Sequence, residues 1–261
     1  MNPISSRDNP RYKSLKQLAG SAAARRKAGR TLLDGVHLCA AWLEHAGIPE
    51  LCVASESGLR HHEVAPIVEQ CEAQGGACIL LPDTLFQALS QVEHGVGLLF
   101  LIRTPQASLP ARLDGDAVLL DGLQDPGNMG SILRSAAAAG VPLVVCGEGT
   151  VAAWSPKVLR AGMGAHFLLK IVENVSLGDL LDSACVPVLA TSSHAERTLY
   201  EADLHGPVAW LLGNEGRGVD AGLLARATQR VAIPHPGAVE SLNVAACAAV
   251  CLFEQVRQRR G

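Results

Sequence analysis

Between residues 117 and 233 the chain alternates short, mostly apolar runs with helical patterns. The apolar runs fall at 117–121, 143–146, 167–171, 188–191, 208–212 and 230–233. Helical patterns fall between them at 131–139, 156–160, 177–183 and 221–227, and a final helix follows Ser241. A strand with no apolar/polar alternation has two faces to cover, which is the condition of a strand inside a parallel sheet. Such strands alternating with helices predict an α/β domain with helices on both sides of the sheet.

A smaller α/β unit is expected before it. Strand-like runs at 31–33, 51–54, 77–81 and 98–102 are separated by helical patterns at 36–46, 63–73 and 84–90. Pro105 and Pro110 mark the stretch 104–115 as a linker. The division is therefore residues 1–30, a basic helical arm; 31–107, a small α/β domain; and 108–261, the parallel-sheet domain. A chain of 261 residues is long for one domain and comfortable for two.

The net charge of −3 hides a strong asymmetry. Residues 1–30 carry Arg7, Arg11, Lys13, Lys16, Arg25, Arg26, Lys27 and Arg30 against Asp8 alone, in two short helical stretches around Ser21. A concentrated basic arm on an acidic protein suits a polyanionic partner; the competing interpretation is a solvated, partly disordered terminus. The eight cysteines include no Cys-x-x-Cys pair and mostly sit among apolar neighbours. They are expected to be buried free thiols of a reducing compartment, with no metal site. Neither a signal peptide nor a membrane-spanning run stands out, so the expected location is the cytoplasm and no membrane partner is expected.

Three strand ends carry polar residues. The first stretch, 120–135, contains Asn128, which opens a helix, and Arg134 on the second turn of that helix. The second, 211–218, follows an apolar strand and reads Leu-Leu-Gly-Asn-Glu-Gly-Arg-Gly, with glycines that let backbone approach a ligand. The third, 233–254, interrupts the chain with Pro234, Pro236 and Gly237, passes Glu240, Ser241 and Asn243, and enters a helix rich in Ala, Cys, Val and Leu. Ser241 is expected to cap that helix, and a helix apolar on nearly every face is expected to be buried. Neither a Walker phosphate loop nor a dinucleotide fingerprint in its proper place is present.

Together the three stretches resemble the signature motifs of the SpoU (TrmH) family of RNA ribose 2′-O-methyltransferases. Asn128 and Arg134 match the first motif, 213–216 the second, and Ile233-Pro with Glu240-Ser-Leu-Asn-Val the third, so the resemblance covers about 114–256. More loosely, residues 31–103 are similar to small ribosomal RNA-binding domains. The resemblance implies a SPOUT-type sheet with a deep trefoil knot, a homodimer, S-adenosylmethionine as donor, and RNA as partner, ribosomal in preference to transfer RNA. It implies that Gly213, Ile233 and Leu242, with Leu212 and Asn214, hold the cofactor. By the same resemblance, Arg134 is the catalytic candidate, with Asn128, Ser241 and Asn243 orienting it and Glu215 fixing either the guanidinium or the loop. RNA would be gripped by Arg7, Arg11, Lys13, Arg25, Arg26, Lys27 and Arg30. Two departures stand out: His235 where the family usually has Met or another apolar residue, and Gly162 where many members have a small hydroxyl residue. The alternatives are a noncatalytic RNA-binding protein on this fold and an RNA base methyltransferase.

Overall fold

The computed structural model describes residues 1–92, 95–239 and 241–260. These form two compact units, one of residues 1–105 together with 154–167, the other of 106–153 and 168–261.

The first unit is built from β1 (Asn2–Pro3), α1 (Pro10–Gly20), α2 (Ala22–Ala28), β2 (Arg30–Asp34), α3 (Val36–His45), β3 (Leu51–Ser55), α4 (Val64–Ala73), β4 (Cys78–Leu81), α5 (Asp83–Gln87) and β5 (Leu98–Arg103). Its five strands lie in the order β1-β4-β3-β5-β2. Strand β5 runs antiparallel to both its neighbours, whereas β1, β3 and β4 are parallel. The basic arm is part of this core. Asn9 caps α1 by accepting from the Arg11 N–H at 2.9 Å, and Pro10 occupies the first turn, where a missing N–H costs nothing. Tyr12, Leu15, Leu18 and Ala19 recur at helical spacing and pack into the same cluster as Val53, Ile79 and Leu99. The Tyr12 hydroxyl donates to the buried Leu85 carbonyl at 3.2 Å. A solvated tail would do none of this.

The second unit continues with β6 (Ala117–Leu120), α6 (Pro126–Ala138) and β7 (Leu143–Gly147); the chain then contributes α7 (Pro156–Gly162) to the first unit. It resumes with β8 (Lys170–Val175), α8 (Leu177–Asp182), β9 (Val188–Thr191), β10 (Ala209–Leu212), α9 (Ala221–Arg226), β11 (Gln229–Val231) and α10 (Val244–Arg260). All six strands are parallel, in the order β11-β9-β10-β6-β7-β8. One face of this sheet packs Ala117, Leu119, Val145 and Leu211 against Leu177, Leu180 and Leu181 of α8 and the partly buried Leu223 and Leu224 of α9. On the other, the Trp210 indole donates to Gln255 of α10 at 2.6 Å.

Several expectations need correction. Helix α6 begins at Pro126 and is capped by Asp125, whose carboxylate accepts from the Asn128 N–H at 2.8 Å, so Asn128 lies inside the first turn. The run 167–171 is not one strand: residues 165–168 form a 3₁₀ turn and β8 starts at Lys170. The segment 154–167 reads in sequence as part of the parallel domain but packs with the first unit. There Thr31 donates its hydroxyl to the Trp154 carbonyl at 3.1 Å, and Phe167 meets Trp42 edge-on at 5.3 Å. Local pattern reveals a helix without revealing which sheet receives it. The final helix is buried on one face only, through Ala248, Cys251, Leu252 and Gln255, while Phe253 remains 49% exposed. Cys185 is exposed, contrary to a uniformly buried set of thiols.

Candidate active site

Strands β6, β7 and β8 step outward in one direction from the middle of the second sheet, and β10, β9 and β11 lie on the other side. Where strand order reverses, connections leave the carboxyl ends in opposite directions and a crevice opens. In register, Leu120 of β6 faces Leu212 of β10 at this point. A cleft of about 870 Å³ lies at the carboxyl ends of β9, β10 and β11, lined by the segment after β10 (213–219), by 191–194 at and after the end of β9, and by Ile233, His235 and 241–244 after β11.

The loop after β10 is a tight turn. Asn214 and Gly218 exchange backbone hydrogen bonds at 3.0 and 2.9 Å. A side chain on Gly213 would place its Cβ 2.1 Å from the backbone of Gly218 and Val219, so only glycine fits. The Asn214 carboxamide stitches the turn, donating to the Gly122 carbonyl at 2.8 Å and accepting from the Gly216 N–H at 2.9 Å.

Glu215 reaches from this turn to the start of α6. Its carboxylate accepts from the N–H groups of Gln124 at 3.1 Å and Asp125 at 2.9 Å, and from the Asn128 carboxamide at 3.1 Å. Desolvation pushes the Glu215 carboxyl up, but these donors together outweigh it and hold its pKa below the ordinary glutamate value. Asn128 in turn accepts from Asn243 at 2.9 Å. The Asn243 side-chain oxygen accepts from the N–H groups of Ala245 at 2.9 Å and Ala246 at 3.2 Å, and its carbonyl takes the first helical bond, from Cys247. Asn243, not Ser241, therefore caps α10. One line of hydrogen bonds, Glu215–Asn128–Asn243, joins three segments up to 115 residues apart.

The other expected residues are placed as follows. Gly213, Asn214, Ile233, Ser241 and Leu242 line the cleft, whereas Leu212 is buried inside β10 and does not. Glu240 lies outside the described residues. Arg134 is exposed on α6, makes no hydrogen bond or ion pair with another described residue, and does not line the cleft. It lies six positions beyond Asn128 in the helix, which turns the two side chains about 120° apart around the axis. Of the polar groups expected to orient Arg134, Asn128 and Asn243 instead bond to one another. Sequence reasoning missed residues 191–194, although Thr-Ser-Ser-His after an apolar run was the same kind of signal as the other strand ends. It also missed the backbone donors of Gln124 and Asp125, which no side-chain motif advertises. Among the described residues, no group of three His, Cys, Asp or Glu could hold a metal ion.

In the first unit the basic arm divides into two sets. Arg25 donates to the Leu18 carbonyl at 2.6 Å and the Ala19 carbonyl at 3.3 Å, satisfying the open end of α1, and desolvation lowers its pKa. Arg30 pairs with Glu50 at 2.5 Å and Lys13 with Asp8 at 2.8 Å. Arg7, Arg11, Arg26 and Lys27 have no ion pair among the described residues. Gly162 also has its explanation: a Cβ there would lie 2.5 Å from the His166 ring, which fills the space a small hydroxyl side chain would need.

Residues 116–253 match the SpoU rRNA Methylase family. The 23S rRNA (guanosine(2553)-2′-O)-methyltransferase RlmP of Bacillus subtilis is 32% identical over 256 residues, spanning 97% of this chain and 98% of the relative. A crystal structure of an RNA 2′-O ribose methyltransferase superposes with a TM-score of 0.83 at 34% identity, covering 99% of this chain and all of that one. The SpoU methyltransferase AviRb of Streptomyces viridochromogenes, solved with AdoMet, gives a TM-score of 0.86 at 26% identity over 97% of this chain and 99% of its own. With its three motif segments joined at one cleft and near-complete coverage of these relatives, the chain belongs to the SpoU rRNA methylase family.

Proposed function

We propose that this protein transfers a methyl group from S-adenosylmethionine to a ribose 2′-hydroxyl of structured RNA, with ribosomal RNA as the substrate class. The observation that carries the reading is the hydrogen-bonded line Glu215–Asn128–Asn243 beside a cleft at the carboxyl ends of a parallel sheet. The Bacillus subtilis relative, named for ribose methylation of 23S rRNA, and the AdoMet complex of AviRb point the same way.

The residues present suit the cofactor. The cleft falls within the usual size of small-molecule sites, about 300–1,000 Å³. Its walls combine apolar side chains (Val219, Leu224, Val231) with backbone that approaches closely at Gly213. Gly213, Ile233 and Leu242 would hold the adenosine portion through their backbones. S-adenosylmethionine supplies an electrophilic methyl group, and positioning the hydroxyl in line with it carries much of the rate. Asn243 and Asn128 keep the three loops in register, and Glu215 fixes the loop rather than the guanidinium. Ser241, exposed at the cleft, is placed for the target ribose. A guanidinium donates hydrogen bonds and accepts none, so the role of Arg134 is to grip phosphate or hydroxyl and stabilise developing negative charge.

A homodimer accounts for two features together. On α10 the apolar ring of Phe253 is left exposed in one chain, and Arg134 stands outside its own cleft. Across a dimer Arg134 serves a site it does not line. A deep trefoil knot fits the strand order: from β11 at the sheet edge the chain returns past β9 and β10 to bring α10 against α6. The unpaired arm cations Arg7, Arg11, Arg26 and Lys27 bind RNA phosphates, and eight free cysteines suit a cytoplasmic location.

The test is transfer of labelled methyl from S-adenosylmethionine to ribosomal and transfer RNA, with the product mapped by its resistance to alkaline cleavage. Label in ribose of ribosomal RNA is expected. Label in a base would favour the base methyltransferase. Cofactor binding without transfer to any RNA would favour a noncatalytic RNA-binding protein.

A further inference from the structure

His235 departs from the family pattern and is not used in the mechanism above, yet it is half-buried and lines the cleft. Its Nδ1 lies 2.9 Å from the carbonyl oxygen of Ile233. A carbonyl only accepts, so Nδ1 carries the proton, and the neutral ring is left with Nε2 as a bare acceptor. The imidazole thus folds back over Ile233, one of the residues assigned to the adenosine end of the cofactor. It occupies one lone pair of the Ile233 carbonyl and offers an acceptor one ring width further out. The family's usual Met cannot do this, because a thioether is a weak acceptor.

We propose that His235 is a cofactor-binding residue. Its Nε2 accepts a hydrogen bond from an N–H or O–H group of the adenosine moiety. The inference rests on the cofactor reading above. It concerns binding of the donor molecule rather than transfer, so calorimetry with S-adenosylhomocysteine and with 5′-methylthioadenosine tests it without turnover.

Three substitutions separate the contact from a merely structural role. In His235→Asn the shorter amide reproduces the Nδ1–H that holds the Ile233 carbonyl and lacks anything at Nε2. In His235→Gln the longer amide reaches the Nε2 position and gives up the Nδ1 bond. His235→Met restores the usual family residue and lacks both. The Asn and Met variants are expected to bind S-adenosylhomocysteine about three- to tenfold more weakly, the range of one neutral hydrogen bond. The Gln variant is expected to stay near the unaltered chain, and 5′-methylthioadenosine should show the same order. An Asn variant that binds normally beside a weakened Gln variant would overturn the proposal, since only the loop contact would then matter. Equal affinity in all three variants, or equal loss in all three, would overturn it as well. A loss confined to S-adenosylhomocysteine would move the contact to the amino-acid end and refute the adenosine assignment. Absence of binding by the unaltered chain would instead bring down the cofactor reading, and this contact with it.

Discussion

The two units treat the same end of their sheets in opposite ways. In the second unit every strand is parallel, the order reverses between β6 and β10, and the carboxyl ends of β9, β10 and β11 open onto the cleft. In the first unit β5 runs antiparallel between β3 and β2 and brings Gly97, just ahead of it, over the corresponding end. There Gly97 accepts from the Ser55 N–H at 2.9 Å, and Gly58 packs so closely that a Cβ would sit 2.6 Å from the Gly97 oxygen. Ser57 donates both its N–H, at 3.0 Å, and its hydroxyl, at 2.7 Å, to Asp83. One reversed strand is enough to plug the place where a parallel sheet leaves a site. Polar groups at the plugged end serve the fold, and those at the open end are held in place for a ligand.

Exchanging glycine for alanine at each end tests this contrast most sharply. Gly213→Ala should force the loop at 213–219 apart and abolish detectable S-adenosylhomocysteine binding, at a stability cost of about 3 kcal/mol from overpacking. Gly58→Ala should cost about as much stability and leave cofactor affinity unchanged. Calorimetry and thermal melts read both. Normal binding by Gly213→Ala would mean that the turn does not shape the site.

Arg134→Ala should lower kcat by roughly 10²–10³-fold with cofactor affinity nearly unchanged. An Arg134→Ala chain mixed with a Gly213→Ala chain should recover activity if the arginine works across a dimer, because one composite site is then intact. Activity in neither the mixture nor co-expressed heterodimers would place Arg134 elsewhere in the mechanism.

Much of the fold was legible in sequence for reasons these variants expose. The apolar runs of β6, β7, β9 and β10 could be read because burial on both faces leaves no alternation. The motifs were legible as residue types at strand ends, but their bonds were not. Asn243 displaced Ser241 as helix cap because the loop arriving from β11 presents Asn243 to both Ala245 and Asn128, a choice local propensity does not decide. Arg25 and Arg26 are indistinguishable as neighbours in a basic run. Only the fold turns one onto the carbonyls ending α1.

That last difference has a moderate expected effect. Arg25→Ala should destabilise the protein by about 1–2 kcal/mol through lost carbonyl partners, visible as a lowered Tm. Replacing both Arg26 and Lys27 by Glu should leave Tm alone and reduce the salt slope of RNA binding by roughly 1–2. An unchanged slope would show that RNA is gripped elsewhere.

The smallest effects are in pH dependence, and the two units should differ in sign. Hydrogen bonds hold the Glu215 carboxyl below its ordinary value despite desolvation. Its stabilising contribution is present above the ordinary glutamate pKa and is lost as pH falls through the folded value. Asp34, in the first unit, is pushed up by desolvation, against its bonds from Gln91 and Ser90. Its penalty is absent in acid and grows as pH rises from the ordinary aspartate value through the raised folded one. Glu215→Gln should therefore lower stability at neutral pH and converge with the unaltered protein in acid. Asp34→Asn should be neutral or stabilising at neutral pH. Denaturant melts from pH 3 to 7 that gave both variants the same sign would undo the contrast.

Sequence by itself determined that the chain forms two α/β units, that the second sheet is parallel, and which three segments carry the polar residues at its strand ends. Those properties follow from periodicity and residue type, which act over a few residues. Tertiary structure alone decided that α7 belongs to the first unit, that Asn128 sits between Glu215 and Asn243, and that Arg134 stands clear of its own cleft. Each of these depends on a pairing between residues tens to more than a hundred positions apart. Such a pairing is selected by the packing of whole elements, which decides what lies within hydrogen-bond reach of each side chain.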